Sequence, residues 1–149
     1  MRENKREGIS YEALFMHECM KRGLDPHLTV GDFLPHDIAV LNQAGKFFRV
    51  QVKGTGTHDK YKKTSGTEHR YNINITRPNR SKASIDCSKV DVWAVYVDPV
   101  DEWYLIPCLE LEEAAPGTVL RVYPHTKGGS KAATEKFRGR WDIFKKWDI

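Results

Sequence analysis

Two alternating runs separated by a polar turn organise the chain's hydrophobic pattern. Ile38 and Val40 alternate with Asp37, Ala39 and Leu41, while Phe48, Val50 and Val52 alternate with Phe47, Arg49, Gln51 and Lys53. This is the period of two expected of half-buried strands. A turn over residues 42–46 sets Ile38 against Val50 and Val40 against Phe48, which makes one face apolar. The same register sets Asp37 opposite Gln51, with Lys53 as the diagonal neighbour. An even-length loop would send Asp37 and Gln51 to opposite faces, because a one-residue slip inverts the pattern. The apolar match and the meeting of Asp, Gln and Lys therefore come from one register.

Upstream, the pattern predicts a helix from an N-cap at Ser10 to a stop at Gly23, after a frayed 1–7. Phe15, Met16 and Cys19 form its apolar arc, and Glu12 falls in the middle of that arc. A carboxylate on a buried stripe needs a partner or a metal. The plainer alternative is a first-turn Glu favoured by the helix dipole and turned to solvent. Residues 24–33 read as a loop with an edge strand over 27–30.

Downstream, Gly54-Thr55-Gly56-Thr57 reads as the end of the second run, and 57–70 as a long polar loop. Tyr71, Ile73 and Ile75 alternate with Asn72, Asn74 and Thr76 as a third strand. Residues 77–88 suggest a short helix or irregular turn. The apolar run 92–97 predicts a strand buried on both faces, 103–107 a returning strand, and 118–123 one more. In the tail, Ala133, Phe137, Trp141 and Phe144 recur at helical spacing, interrupted by Gly139, which weakens a helix by about 1 kcal/mol. That tail reads as a packed amphipathic helix or as a surface for a second subunit or DNA.

The length of 149 residues suits a single domain, 1–149, with a core over about 8–107 and an extension over about 114–149. No apolar run approaches the roughly 20 residues that span a bilayer, and the N-terminus lacks a signal-peptide core. Cys19, Cys87 and Cys108 are widely spaced and read as free thiols of a reducing, cytoplasmic compartment. Without a Cys-x-x-Cys pair or close histidine spacing, the sequence argues against structural zinc.

The net charge of +4 is unevenly placed. Residues 1–52 are neutral, 53–97 carry nine basic and four acidic residues, 98–113 carry six acidic and no basic ones, and 114–149 carry eight basic and three acidic ones. Two basic blocks around one acidic segment fit a polarised nucleic-acid-binding surface or an unpatterned solvated one. Lys60, Lys62 and Lys63 around Tyr61 suit phosphate contacts with a stacking option, and Arg70, Arg77, Arg80 and Lys82 extend the basic set.

Glu12, Asp37, Gln51 and Lys53 together would make a small oxygen-rich site with one lysine. Such donors favour Mg²⁺, with Mn²⁺ able to substitute, and an ion there would activate water and neutralise phosphodiester charge. The order Glu12, then Pro35-His36-Asp37, then Gln51-Val52-Lys53 resembles the PD-(D/E)XK nucleases over about residues 8–107. Within that family the chain is most similar to the compact homing endonucleases of group I introns, then to archaeal-type Holliday junction resolvases and Mrr-like enzymes. The resemblance implies an α/β, restriction-endonuclease-like αβββαβ core, with a mixed central sheet flanked by helices and a C-terminal helical tail. It also implies Mg²⁺-dependent DNA cleavage by a homo-oligomer, dimer or tetramer, with no membrane or small-molecule partner.

Carried over to these residues, Glu12 and Asp37 hold the metal, Gln51 and the Val52 carbonyl complete its shell, and Lys53 assists catalysis. Two departures stand out. His36 interrupts the Pro-Asp pair, and Gln51 stands where the family pattern has an acid, which removes a charge and weakens metal binding. Gln at this position also occurs in the homing and Mrr-like branches. A homing-type double-strand endonuclease is the leading expectation. A junction resolvase or another mobile-element nuclease is next, followed by an inactive DNA-binding module on the same fold and a protein-interaction domain using the acidic segment 98–113.

Overall fold

The computed structural model describes residues 3–30, 36–55, 58–63, 66–75, 87–114, 119–124 and 130–145. Its central feature is a five-stranded mixed sheet in the order β1-β2-β3-β6-β7, formed by β1 (Asp25–Leu28), β2 (Ile38–Leu41), β3 (Phe47–Thr55), β6 (Val92–Val97) and β7 (Glu102–Pro107). β1, β2 and β3 form an antiparallel meander, β3 and β6 pair in parallel, and β6 and β7 are antiparallel. The register of β2 on β3 is the expected one, Ile38 to Val50 and Val40 to Phe48. Asn42 makes the turn: its Oδ1 accepts from the N–H groups of Ala44 and Lys46 at 3.0 and 2.9 Å, and Gly45 takes a positive φ of 86°.

One face of the sheet is covered by helix α1 (Glu3–Lys21) and the 3₁₀ turn Trp141–Lys145. Phe15 packs within 5.4 Å of the Trp103 ring and 5.7 Å of the Trp141 ring, centroid to centroid, with Phe144 at 6.4 Å. Burying a side chain of this size contributes about 1.5–3 kcal/mol. Arg22, at the end of α1, holds its guanidinium 4.2 Å above the Trp141 ring, closing the layer. The opposite face packs against a second sheet, β4-β5-β8, made of β4 (His58–Lys63), β5 (Gly66–Asn74) and β8 (Val119–Val122). Helix α2 (Cys108–Ala114) and the 3₁₀ turn Ser130–Phe137 complete that layer.

Several expectations are corrected. Helix α1 begins at Glu3, so Ser10 is inside it and not its cap; Gly23, with φ 74°, does end the run. The edge strand lies over Asp25–Leu28. β3 continues through Gly54 to Thr55 instead of breaking there. The polar stretch 57–70 is largely a hairpin, β4 paired with β5, because β5 is held from its other side by β8 through Tyr71–Val122 and Ile73–Leu120. The tail is two 3₁₀ turns instead of one α-helix: Gly139, at φ 65°, donates its N–H to Trp103 O at 2.8 Å and redirects the chain. The helix or turn expected over 77–88 lies mostly outside the described residues.

The free-thiol reading is also corrected. Cys87 and Cys108 form a disulfide with Cα atoms 5.5 Å apart, leaving Cys19 as the free cysteine among the described residues. The hairpin of β6 and β7 explains it: Val92 pairs with Pro107, so Cys108 returns beside the turn that leads into β6. Among the described residues no helix is long and apolar enough to cross a membrane.

Candidate active site

β2 and β3 part company at Asp37, and its side chain fills the gap. The Asp37 N–H donates to Val50 O at 2.9 Å, and its carbonyl accepts from Thr29 N–H at 3.3 Å and Thr29 Oγ at 3.2 Å. The main chain is thus tied to β3 on one side and to the end of β1 on the other. Its carboxylate then takes over the ladder: Oδ2 accepts the Val52 N–H at 3.0 Å. The same Oδ2 accepts from Gln51 Nε2 at 3.0 Å. A carboxylate can only accept, so the amide must present its nitrogen.

The fork gathers oxygen donors. In a strand the N–H and C=O of one residue project to the same side, so the Val52 carbonyl faces the β2 side with the N–H that Asp37 binds. Lys53, half-buried, shares the Gln51 face by strand alternation. Through the parallel register Gln51 stands beside Trp93 and Lys53 beside Val95. Trp93 is 5% exposed, and its Nε1 has no hydrogen-bond partner among the described residues; nor has His36 Nδ1.

Glu12 comes from the other layer. Helix α1 packs on the face that carries Phe48, Val50 and Val52, opposite to Gln51 and Lys53. Glu12 is half-buried on the sheet-facing arc of α1, one residue from Tyr11, which itself packs against the core. Among the described residues no three His, Cys, Asp or Glu side chains cluster as a metal site. The candidate donor set holds only two carboxylates, completed by an amide and a main-chain carbonyl. All four donors are oxygen, the hard kind that suits Mg²⁺ or Mn²⁺ better than zinc.

A supporting pair lies next to the fork. Arg49 donates Nε and Nη2 to the two oxygens of Asp91 at 3.0 and 2.9 Å, its N–H donates to Asp91 Oδ2 at 2.8 Å, and Nη1 donates to Ser88 O at 2.7 Å. Burial pushes the Asp91 carboxyl up, but the hydrogen bonds from Arg49 outweigh it and hold it below the ordinary carboxylate value. Half-buried His36 is held below the usual imidazole value by burial and then by Arg49, so it is neutral at pH 7. Alternation showed Arg49 on the polar face of β3, but its partner comes from 42 residues away and had no local signal.

Of the basic set, Lys60, Tyr61, Lys62 and Lys63 lie along β4, and Arg70, half-buried, lies in β5 opposite Asp59. The second sheet thus carries them as paired strands. The side chains of residues 60–63, and all of Arg77, Arg80 and Lys82, lie outside the described residues.

A family model described as PD-(D/E)XK endonuclease matches residues 2–139. A solved structure titled as that of a bacterial homing endonuclease, I-Ssp6803I, superposes with a TM-score of 0.74 at 22% identity, covering 97% of this chain and 95% of that one. At that identity the likeness concerns the fold. No curated protein matches the sequence.

Proposed function

Because this chain belongs to the PD-(D/E)XK endonuclease family, we propose that it is a metal-dependent DNA endonuclease of the homing type, cutting both strands of a long target. The observation that carries this is the Asp37 carboxylate at the fork, joined to Gln51 and the Val52 main chain with Lys53 on the same face. The similarity to a structure titled as a bacterial homing endonuclease supports the subtype. On this reading the chain is one domain that acts inside the cell, and cutting two strands with one site per chain calls for a dimer or tetramer.

A bound Mg²⁺ or Mn²⁺ would supply Lewis acidity toward the scissile phosphate and an activated water. Asp37 and Glu12 would hold it, with Gln51 turned to present Oε1 and the Val52 carbonyl beside it. Asp37 is well suited to this because its backbone is pinned on both sides. Lys53 orients the attacking water and offsets the negative charge that develops on the phosphorane oxygens. Lys60, Lys62 and Lys63 on β4, with Arg70 and the residues Arg77, Arg80 and Lys82, bind phosphates and account for salt-sensitive affinity, and Tyr61 is available to stack.

The test is incubation of the chain with long duplex DNA and with four-way junctions, in Mg²⁺, Mn²⁺ and EDTA. The expected result is Mg²⁺-dependent scission of duplex that is lost in Lys53→Ala. Preferential junction cutting would make it a resolvase. Salt-dependent binding with no scission in either metal would make it an inactive DNA-binding module that lost catalysis through Gln51.

A further inference from the structure

We infer that Gly54 is a positioning residue for the reaction: the bare backbone there lets Tyr11 of α1 rest on β3 and so sets Glu12 relative to Lys53. This inference rests on the proposed nuclease function and adds to it a residue that touches neither metal nor DNA.

Glycine inside a strand weakens it and calls for a reason. Gly54 lies in β3, hydrogen-bonded beside Tyr96 in the parallel register, and it is not among the residues with positive φ. Backbone conformation therefore does not require it. Space does: a Cβ at this position would lie 2.6 Å from Cγ of Tyr11 and nearer still to Cδ2 and Cε2. That is below the approach any real Cβ makes, so the ring must leave if the methyl arrives. On one side the partly buried ring meets Tyr96, at 5.9 Å between centroids. The helix is pinned one turn further on, where Phe15 lies among Trp103, Trp141 and Phe144.

The contact joins the two halves of the candidate site. Tyr11 precedes Glu12 on α1, and Gly54 follows Lys53 on β3. With Phe15 fixed, a methyl at residue 54 tilts the Tyr11 end of the helix off the sheet and carries Glu12 with it. The Asp37, Gln51 and Val52 hydrogen bonds lie on β2 and β3 alone and are left in place. The lost quantity is metal affinity through Glu12, and misplacement of about 1 Å at a reacting centre costs roughly 10²-fold in rate.

The experiment measures Mn²⁺ binding without DNA, by calorimetry, and single-turnover cleavage as a function of Mg²⁺, in wild type, Gly54→Ala, Tyr11→Ala and the double variant. Gly54→Ala is expected to weaken Mn²⁺ binding and raise the half-saturating Mg²⁺ by about tenfold, with cleavage slowed by roughly 10²-fold. DNA affinity measured in EDTA stays within about twofold, because the phosphate contacts lie elsewhere. Once the ring is gone the methyl has nothing to strike, so the double variant binds Mn²⁺ as Tyr11→Ala does. Gly54→Ala with wild-type Mn²⁺ affinity overturns the inference, as does a double variant weaker than Tyr11→Ala. If Gly54→Ala does not fold, the comparison of Tyr11→Ala with the double variant decides by the same criterion. A wild type that binds no metal and cuts no DNA removes the nuclease reading, and this inference with it; a wild type that does both while Gly54→Ala is unaffected removes this inference alone.

Discussion

Gln51 donates its amide N–H to Asp37 Oδ2 across 3.0 Å, on the oxygen that also accepts the Val52 N–H. Two carboxylates in these positions would repel each other without a cation, whereas an amide and a carboxylate attract. The departure from the family pattern therefore assembles the fork in the absence of metal. It also means that ligation through Gln51 requires its amide to turn.

Gln51→Glu reverses both effects. The hydrogen bond to Asp37 is lost and a like charge takes its place, so the metal-free protein is expected to lose about 1–3 kcal/mol at pH 7. Thermal melts should show the loss shrinking on addition of Mg²⁺ and on acidification toward the carboxylate range, and calorimetry should show tighter Mg²⁺ binding than in wild type. A variant that melts like wild type without metal would refute the paired geometry.

The Arg49–Asp91 pair predicts an acid sensitivity. Its folded carboxyl pKa lies below the ordinary 3.8, so its stabilisation is present above about pH 4 and fades as pH falls through the folded value. The side chains are 38% and 31% exposed, which solvent screening discounts to about 1 kcal/mol. Urea midpoints of wild type and Asp91→Asn should differ at pH 6, and the difference should shrink steadily as pH falls below about 4. A constant difference across that range would assign the effect to shape instead of charge.

Buried Asn42 ties the site hairpin to the tail, donating Nδ2 to Phe144 O at 2.8 Å while its Oδ1 caps two N–H groups of the turn. Asn42→Ala leaves buried donors and an acceptor unpaired and should cost about 2–4 kcal/mol. Asn42→Asp keeps the turn acceptor but sets a buried carboxylate oxygen against Phe144 O, so at pH 7 its melting temperature should fall at least as far as that of Asn42→Ala. A clearly milder Asn42→Asp would show that the turn acceptor carries the stability and the tail bond does not.

The disulfide closes a loop of sequence separation 21, for which the chain-entropy account gives about 3 kcal/mol. Cys87→Ser, or wild type in reductant, should unfold at correspondingly lower urea. Burial pushes the Cys19 thiol up to about 12, so native, non-reduced protein should take up no alkylating agent. Labelling of two cysteines under those conditions would exclude the bond.

Much of the site's frame was legible in the residues. Alternation and the length of one turn were enough to set Ile38 on Val50 and Asp37 beside Gln51, because strand periodicity and hairpin register are properties of neighbouring segments. Buried β6 announced itself in the same way, as a continuous apolar run. What needed the folded chain is everything in which distant segments meet. The hairpin over 58–74 carries little apolar alternation in its first strand, and β8 pairs with β5 from the far end of the chain. Cys87 reaches Cys108 only because β7 doubles back on β6. Arg49 finds Asp91 through the parallel crossover. Gly54 read as a strand end because glycine usually is one. Only the packing of Tyr11 onto it shows a strand interior kept bare for a ring. A residue's own chemistry sets which contacts it can make, and the packing of remote layers sets which of them it does make.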